Sequence, residues 1–291
     1  MGSAGPRLHQ ADTGRNRHRR VVPLVHDAPV GVFDSGIGGL TVVSAIMHAL
    51  PDERVVYVGD TARVPYGPKS PATVVRYSQQ IAAFLLEQRV KAIVIACNTA
   101  TAHALDTLQR EVPVPVIGVV QPGARAAVTA TRTRRIGVIG TSGTINSGAY
   151  VRAIAALAPD VIVTASACPL FVPLVEEGWL EHPATRLIAE TYLAPMRDAA
   201  VDTLVLGCTH YPLLAAVIGD VLGQGVTLVD SAAETARALR MVLAECGLTA
   251  SGAVPGFTHR FIATDAPDAF RRVGQRFVGI ALDRVETTVF A

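Results

Sequence analysis

Short apolar runs rich in Val and Ile recur along the chain, set apart by Gly-, Pro- and Ala-rich segments. In order they are VGVFDSGIGGL (30–40), RVVYVGD (54–60), VKAIVIACN (90–98) and VPVIGVV (114–120). Runs of this kind predict buried parallel strands. Between them lie stretches such as TVVRYSQQIAAFLLEQ (73–88), whose apolar positions recur every three and four residues, the period of an amphipathic helix. Strand and helix alternate, which predicts a parallel sheet covered on both faces. No apolar run approaches the roughly 20 residues that cross a bilayer, so no membrane association is expected.

The pattern then restarts. RIGVIGTSGTI (135–145) repeats the strand, small polar turn and helix start of residues 30–40. DVIVTASAC (160–168) follows, and DTLVLGCTHYP (202–212) stands where VKAIVIACN stood in the first half. The distance from Gly31 to Gly137 nearly equals that from Cys97 to Cys208. The expected fold is therefore α/β, with two similar parallel-sheet domains facing one cleft. VTLVDSAAETARALRMVLAECG (226–247) reads as a strand and a helix returning to the first domain.

Ligands of open parallel sheets bind at the carboxyl ends of the strands. Asp34, Asp60, Cys97 and Cys208 all occupy such ends. A cysteine there, with a helix start behind it, is expected to favour its thiolate. Asn98 and Thr99 follow one thiol, Thr209 and His210 the other, and backbone N–H groups at these turns suit a carboxylate. Two thiols on opposite sides of one carbon would remove a proton from one face and deliver one to the other, inverting the centre. His210 beside Cys208 and Asp34 beside Cys97 would assist.

Each residue also has a plainer reading. Cysteine is often inert packing, which suits Cys168 before Pro169 and Cys246 in an amphipathic helix. Asp34 could cap the next helix, although the repeat carries Gly140 at that place. Asp60 could orient the PYG turn without touching a ligand, Glu176 could be a surface charge, and Tyr66 an ordinary turn residue. DSGIGG lacks the G-x-G-x-x-G spacing and no P-loop occurs, which argues against a nucleotide site.

Composition narrows the picture. Half of the 291 residues are hydrophobic and 5% are aromatic, and mean hydropathy is +0.36. Residues 1–27 hold five Arg and two Asp, a net charge of +3 within a total of +2. The body is thus slightly acidic and carries no basic signature of a nucleic-acid binder. The tail has no apolar periodicity and is expected to be disordered. Four cysteines without CxxC or zinc spacing predict reduced thiols, no metal site and a cytoplasmic protein. The high apolar content leaves room for a homodimer.

Five motifs, in order, resemble those of glutamate racemases: GVFDSGIGGLTV, YVGDTARVPYG, ACNTAT, ACPLFVPLVEEG and LGCTHYPLL. The likeness runs from about Val30 to near the C-terminus. It implies interconversion of L- and D-glutamate without a cofactor, supplying D-glutamate for peptidoglycan. By this resemblance Cys97 acts on the D-enantiomer and Cys208 on the L-enantiomer, with Asp34, His210, Glu176 and Asp60 assisting. Substrate-binding positions carry over as Asp34 and Ser35, Tyr66 and Gly67, Asn98 and Thr99, and Thr209 and His210. The family's chain crosses between domains and returns, which implies a tail at 1–27, a first domain of 28–122 plus 232–291, and a second of 123–231. An aspartate racemase, a one-thiol decarboxylase or isomerase, and a binding protein that closes on a small acid are the competing readings. A regulatory role through a protein partner is a fourth.

Overall fold

A computed structural model describes Met1 and residues 26–252, 258–279 and 282–290. The expected disordered tail falls largely on residues 2–25, outside the described residues. His26 and Asp27 form a turn, and the His26 carbonyl accepts a 2.6 Å hydrogen bond from Lys91 Nζ.

Among the described residues, ten strands form two sheets. They are β1 (Val30–Asp34), β2 (Val55–Gly59), β3 (Ala92–Ile95), β4 (Val116–Gly118), β5 (Arg135–Gly140), β6 (Ile162–Ala167), β7 (Thr203–Gly207), β8 (Thr227–Val229), β9 (Arg260–Ala263) and β10 (Val285–Thr287). The first sheet has the order β10-β9-β2-β1-β3-β4 and the second β6-β5-β7-β8. Every strand pairing among the described residues is parallel. The segment at 226–247 divides: its strand β8 pairs with β7 in the second sheet, and only its helix Ser231–Glu245 leaves, to pack on helices Leu40–Ala49 and Val120–Ala130. Two strands near the C-terminus, β9 and β10, complete the first sheet beside β2.

The reasons lie in local sequence and burial. β1, β2, β3 and β7 are buried along their whole length, as runs covered on both faces must be. Helix Pro71–Glu87 begins at Ser70, whose hydroxyl accepts from the Thr73 amide at 3.3 Å, with proline in the first turn. Its buried stripe includes Val74, Ile81 and Leu85, and Leu85 packs against Gly31 of β1. At the end of the sheet away from the strand carboxyl termini, Lys91 and Glu53 form a 2.6 Å ion pair with both side chains buried.

Strand order determines where a ligand can sit. The chain leaves β1 toward β2 on one side, and β3 lies on the other. It leaves β5 toward β6, with β7 on the other side. Each sheet thus has a topological switch point, between β1 and β3 and between β5 and β7. At such points the diverging connections leave a crevice.

Candidate active site

The two crevices face each other across one small cavity of about 20 Å³. Cys97, Asn98 and Thr99, which follow β3, line it from the first sheet, with Ser35 from the end of β1. Cys208, Thr209 and His210, which follow β7, line it from the second. Tyr66 and Gly67 close one side from the loop after β2. One thiol therefore comes from each sheet, at the end of a buried strand. Asp34, Asp60 and Glu176, expected among the site residues, stand behind this lining. Val64, Pro65, Thr141 and Val172 join the lining and were not foreseen. Val64, Pro65 and Val172 lie within the quoted motifs YVGDTARVPYG and ACPLFVPLVEEG, and Thr141 lies in the GTSGT turn matching DSGIGG in the first half.

The two thiols differ in their surroundings. Cys97 caps helix Asn98–Glu111, and its sulfur accepts from the Ala100 amide at 3.4 Å. Its Sγ lies 3.7 Å from the Ser35 hydroxyl. Contrary to the expected thiolate, burial pushes the Cys97 thiol up to about 12, with the nearby Asp34 carboxylate adding to the rise. The Ala100 and Ser35 bonds oppose this but are outweighed. A helix terminus stabilises a thiolate where the group is partly solvated; here desolvation dominates. Cys208 is followed first by the single turn Tyr211–Leu214, and the α-helix Ala215–Leu222 begins only beyond it, so the helix-dipole expectation does not carry to this thiol. Its sulfur instead lies 3.9 Å from His210 Nδ1, and His210 Nε2 lies 3.0 Å from Glu176 Oε1. Burial would lower the imidazole, but the bonds and charges of Cys208 and Glu176 outweigh it and raise His210 to about 10. The cavity thus has a neutral thiol on one side and a thiol beside an imidazolium on the other.

Asp34 accepts the Gly36 amide at 2.9 Å and the Thr209 hydroxyl at 3.4 Å, so it ties the turn after β1 to the opposite sheet. It is not the N-cap of helix Leu40–Ala49, which is Gly39, although its carboxylate also takes the Gly39 amide. Burial raises its carboxyl, partly offset by the His210 charge. Further bonds join the two halves around the cavity. The Gly143 amide donates to the Gly67 carbonyl at 2.9 Å, and the Thr99 hydroxyl lies 2.8 Å from that of Thr141. Tyr150 donates to Asn98 Oδ1 at 2.7 Å.

Comparison with known proteins bears on this arrangement. The Asp/Glu/Hydantoin racemase family matches residues 39–239. A glutamate racemase of Geobacter metallireducens is 55% identical over 250 residues, covering 86% of this chain and 92% of that one. The chain belongs to the Asp/Glu/hydantoin racemase family. Its fold is that of solved members. The glutamate racemase isoform RacE1 of Bacillus anthracis superposes with a TM-score of 0.86 at 41% identity, covering 90% of this chain and 97% of that one. A Francisella tularensis glutamate racemase in complex with D-glutamate gives 0.85 at 39% identity, covering 91% and 98%. Membership of this racemase family makes the chain an isomerase.

In this family member Asp60 serves the PYG turn rather than the cavity surface. Its buried carboxylate accepts the Tyr66 hydroxyl, Arg63 Nε at 2.8 and 3.0 Å, and the Thr264 hydroxyl at 3.0 Å. Arg63 in turn lies over the Tyr77 ring, 4.0 Å from its centroid. Asp60→Ala would leave Arg63 Nε and the Tyr66 hydroxyl without their acceptor and Arg63 without its counter-charge, Gln80 Oε1 still accepting from Nη1. The expected loss is about 3–5 kcal/mol of unfolding free energy, measured by denaturant titration. A loss below about 1 kcal/mol would mean that solvent screens the pair.

The remaining thiols take no part in the lining. Cys168 is fully buried, and burial pushes it up to about 12. Cys246, expected to be packed in an amphipathic helix, is exposed at the end of helix Ser231–Glu245. That helix turns its Ala236, Leu239 and Leu243 face inward and leaves the C-cap position in solvent.

Proposed function

We propose that this protein is a glutamate racemase that interconverts L- and D-glutamate, with Cys97 and Cys208 as the two acid–base groups. The observation that carries this reading is one thiol from each sheet lining one cavity, each beside polar turn residues suited to a carboxylate. In the L to D direction, Cys208, as a thiolate beside the His210 imidazolium, takes the α-proton. Cys97, which holds its proton, gives it to the opposite face of the carbanion. The Cα–H bond breaks on one side and forms on the other. Cys208 ends as a thiol and Cys97 as a thiolate. The D to L direction runs in reverse, so Cys97 acts on the D-enantiomer.

In this reading Glu176 holds the His210 ring, and Asp34 tunes Cys97 and ties the turns together. Ser35, Tyr66, Gly67, Asn98, Thr99, Thr209 and His210 bind the amino acid. The domains are taken as 28–122 with 232–291, and 123–231. A cavity of about 20 Å³ has room for about one water molecule, far less than an amino acid with ten heavy atoms. Substrate therefore enters after the two halves part, and closure brings the thiols onto it. The product would supply D-glutamate for peptidoglycan in the cytoplasm. Among the described residues no helix is long and apolar enough to cross a membrane. A homodimer is compatible with this reading.

Purified protein incubated with L- or D-glutamate in D₂O, with no cofactor added, tests the proposal. The optical signal of either enantiomer should decay to zero, with deuterium at the α-carbon of the inverted product. Neither inversion nor exchange, from protein shown to be folded, would overturn it.

A further inference from the structure

Tyr150 lies outside every motif discussed so far and outside the cavity lining, yet it touches the turns that carry both thiols. It is buried, in the first turn of helix Ala149–Leu157. Its hydroxyl donates to Oδ1 of Asn98, the residue after Cys97. Its ring packs on Gly207, the residue before Cys208, where an added Cβ would come within 3.2 Å of Tyr150 Cε2. The phenol also sits beside the start of helix Ser231–Glu245, where Ser231 Cβ and the phenol oxygen flank the same glycine, Gly123. On helix Val120–Ala130, a Cβ added at Gly123 would lie 3.1 Å from the hydroxyl. These two helices carry the chain into the second sheet and back from it. One phenol therefore joins both thiol turns to both crossings.

Asn98 supplies the second observation. It lines the cavity and is 3% exposed. Its Oδ1 is occupied by Tyr150, while its Nδ2 has no hydrogen-bond partner among the described residues. A buried amide donor without a partner costs free energy unless a ligand takes it up. A carboxamide can turn over, exchanging its donor and acceptor ends. The phenol donates to Oδ1 and holds the amide with that end toward it. That leaves Nδ2 for the ligand.

We infer that Tyr150 is a positioning residue that fixes the Asn98 carboxamide so that Nδ2 faces a carboxylate oxygen of the substrate. This rests on the glutamate racemase reading above. Tyr150→Phe removes the hydroxyl and keeps the ring on Gly207. The expected result is a rise of roughly tenfold in KM for both glutamate enantiomers, a smaller change in kcat, and an unfolding midpoint close to that of the unaltered protein. In an Asn98→Ala background, Tyr150→Phe should cause no further rise in KM. Ser231→Ala, a milder change at the residue packed beside the phenol, should raise KM in the same direction. It carries the test if Tyr150→Phe does not fold.

An unchanged KM in Tyr150→Phe would overturn the inference. So would an equal rise with and without Asn98, since a merely structural hydroxyl acts alike in both backgrounds. If the unaltered protein itself fails to racemise glutamate, the underlying functional reading falls and the inference falls with it. If the unaltered protein is active and the variant matches it, only the role of Tyr150 is lost.

Discussion

Cys97→Ser and Cys208→Ser are each expected to lower racemisation by roughly 10²–10⁴-fold, the range for loss of one positioned acid or base. The two losses should differ in kind. With Cys97 replaced, Cys208 still takes a proton from L-glutamate and returns one to the same face. Deuterium from D₂O then enters L-glutamate without inversion, and D-glutamate exchanges little. With Cys208 replaced, exchange should persist in D-glutamate alone. The structure gives the reason for the difference. Cys97 lines the cavity from the first sheet and Cys208 from the second, so each thiol meets one face of the α-carbon. Mass spectrometry at the α-carbon, with circular dichroism for inversion, reads both outcomes. A single-thiol variant that kept full turnover in both directions would end the two-base scheme.

Gly38→Ala is expected to cost on the order of 10²-fold in kcat, as small displacements of reacting groups do. Gly38 lies in the turn after β1, without a left-handed backbone angle, so conformational freedom does not explain the glycine. Space does. A Cβ there would run into the Thr209 hydroxyl and the His210 imidazole, both from the opposite sheet. The ring that serves Cys208 would be pushed from its bonds, or the two halves would stop short of closure. The backbone itself tolerates alanine, so the unfolding midpoint should move little. Kinetics set beside thermal unfolding make the check. Full activity in Gly38→Ala would show that the catalytic arrangement does not need this close approach.

This glycine illustrates what can be read in one dimension. DSGIGG was legible as a strand-to-helix turn, and its spacing argued against a nucleotide site. That one of its glycines admits a histidine from a residue 172 positions onward is not written in the turn. Asp60 is similar. Its place at a strand end was clear, but its partner Thr264 arrives with the C-terminal strands, 204 residues away. The expected thiolate at Cys97 failed for a related reason. The helix start was legible, while the burial that outweighs it comes from residues distant in sequence, such as Phe33 and Tyr66, that share a core cluster with Cys97. Tyr150 was invisible because its hydroxyl partner Asn98 lies across the cleft, 52 residues earlier.

The order of apolar runs determined the element types, the parallel sheets and the repeat of one pattern in two halves. Strand-end position determined which cysteines, Cys97 and Cys208, reach a ligand crevice. These are local properties, set by side-chain periodicity and by where an apolar run stops. The tertiary structure alone decided the strand order β10-β9-β2-β1-β3-β4 and β6-β5-β7-β8, and hence the two switch points. It decided that both thiols line one cavity, and that one is desolvated beside Asp34 while the other is paired with His210. Burial and charge at a site depend on what packs against it from distant parts of the chain, and no local pattern records that.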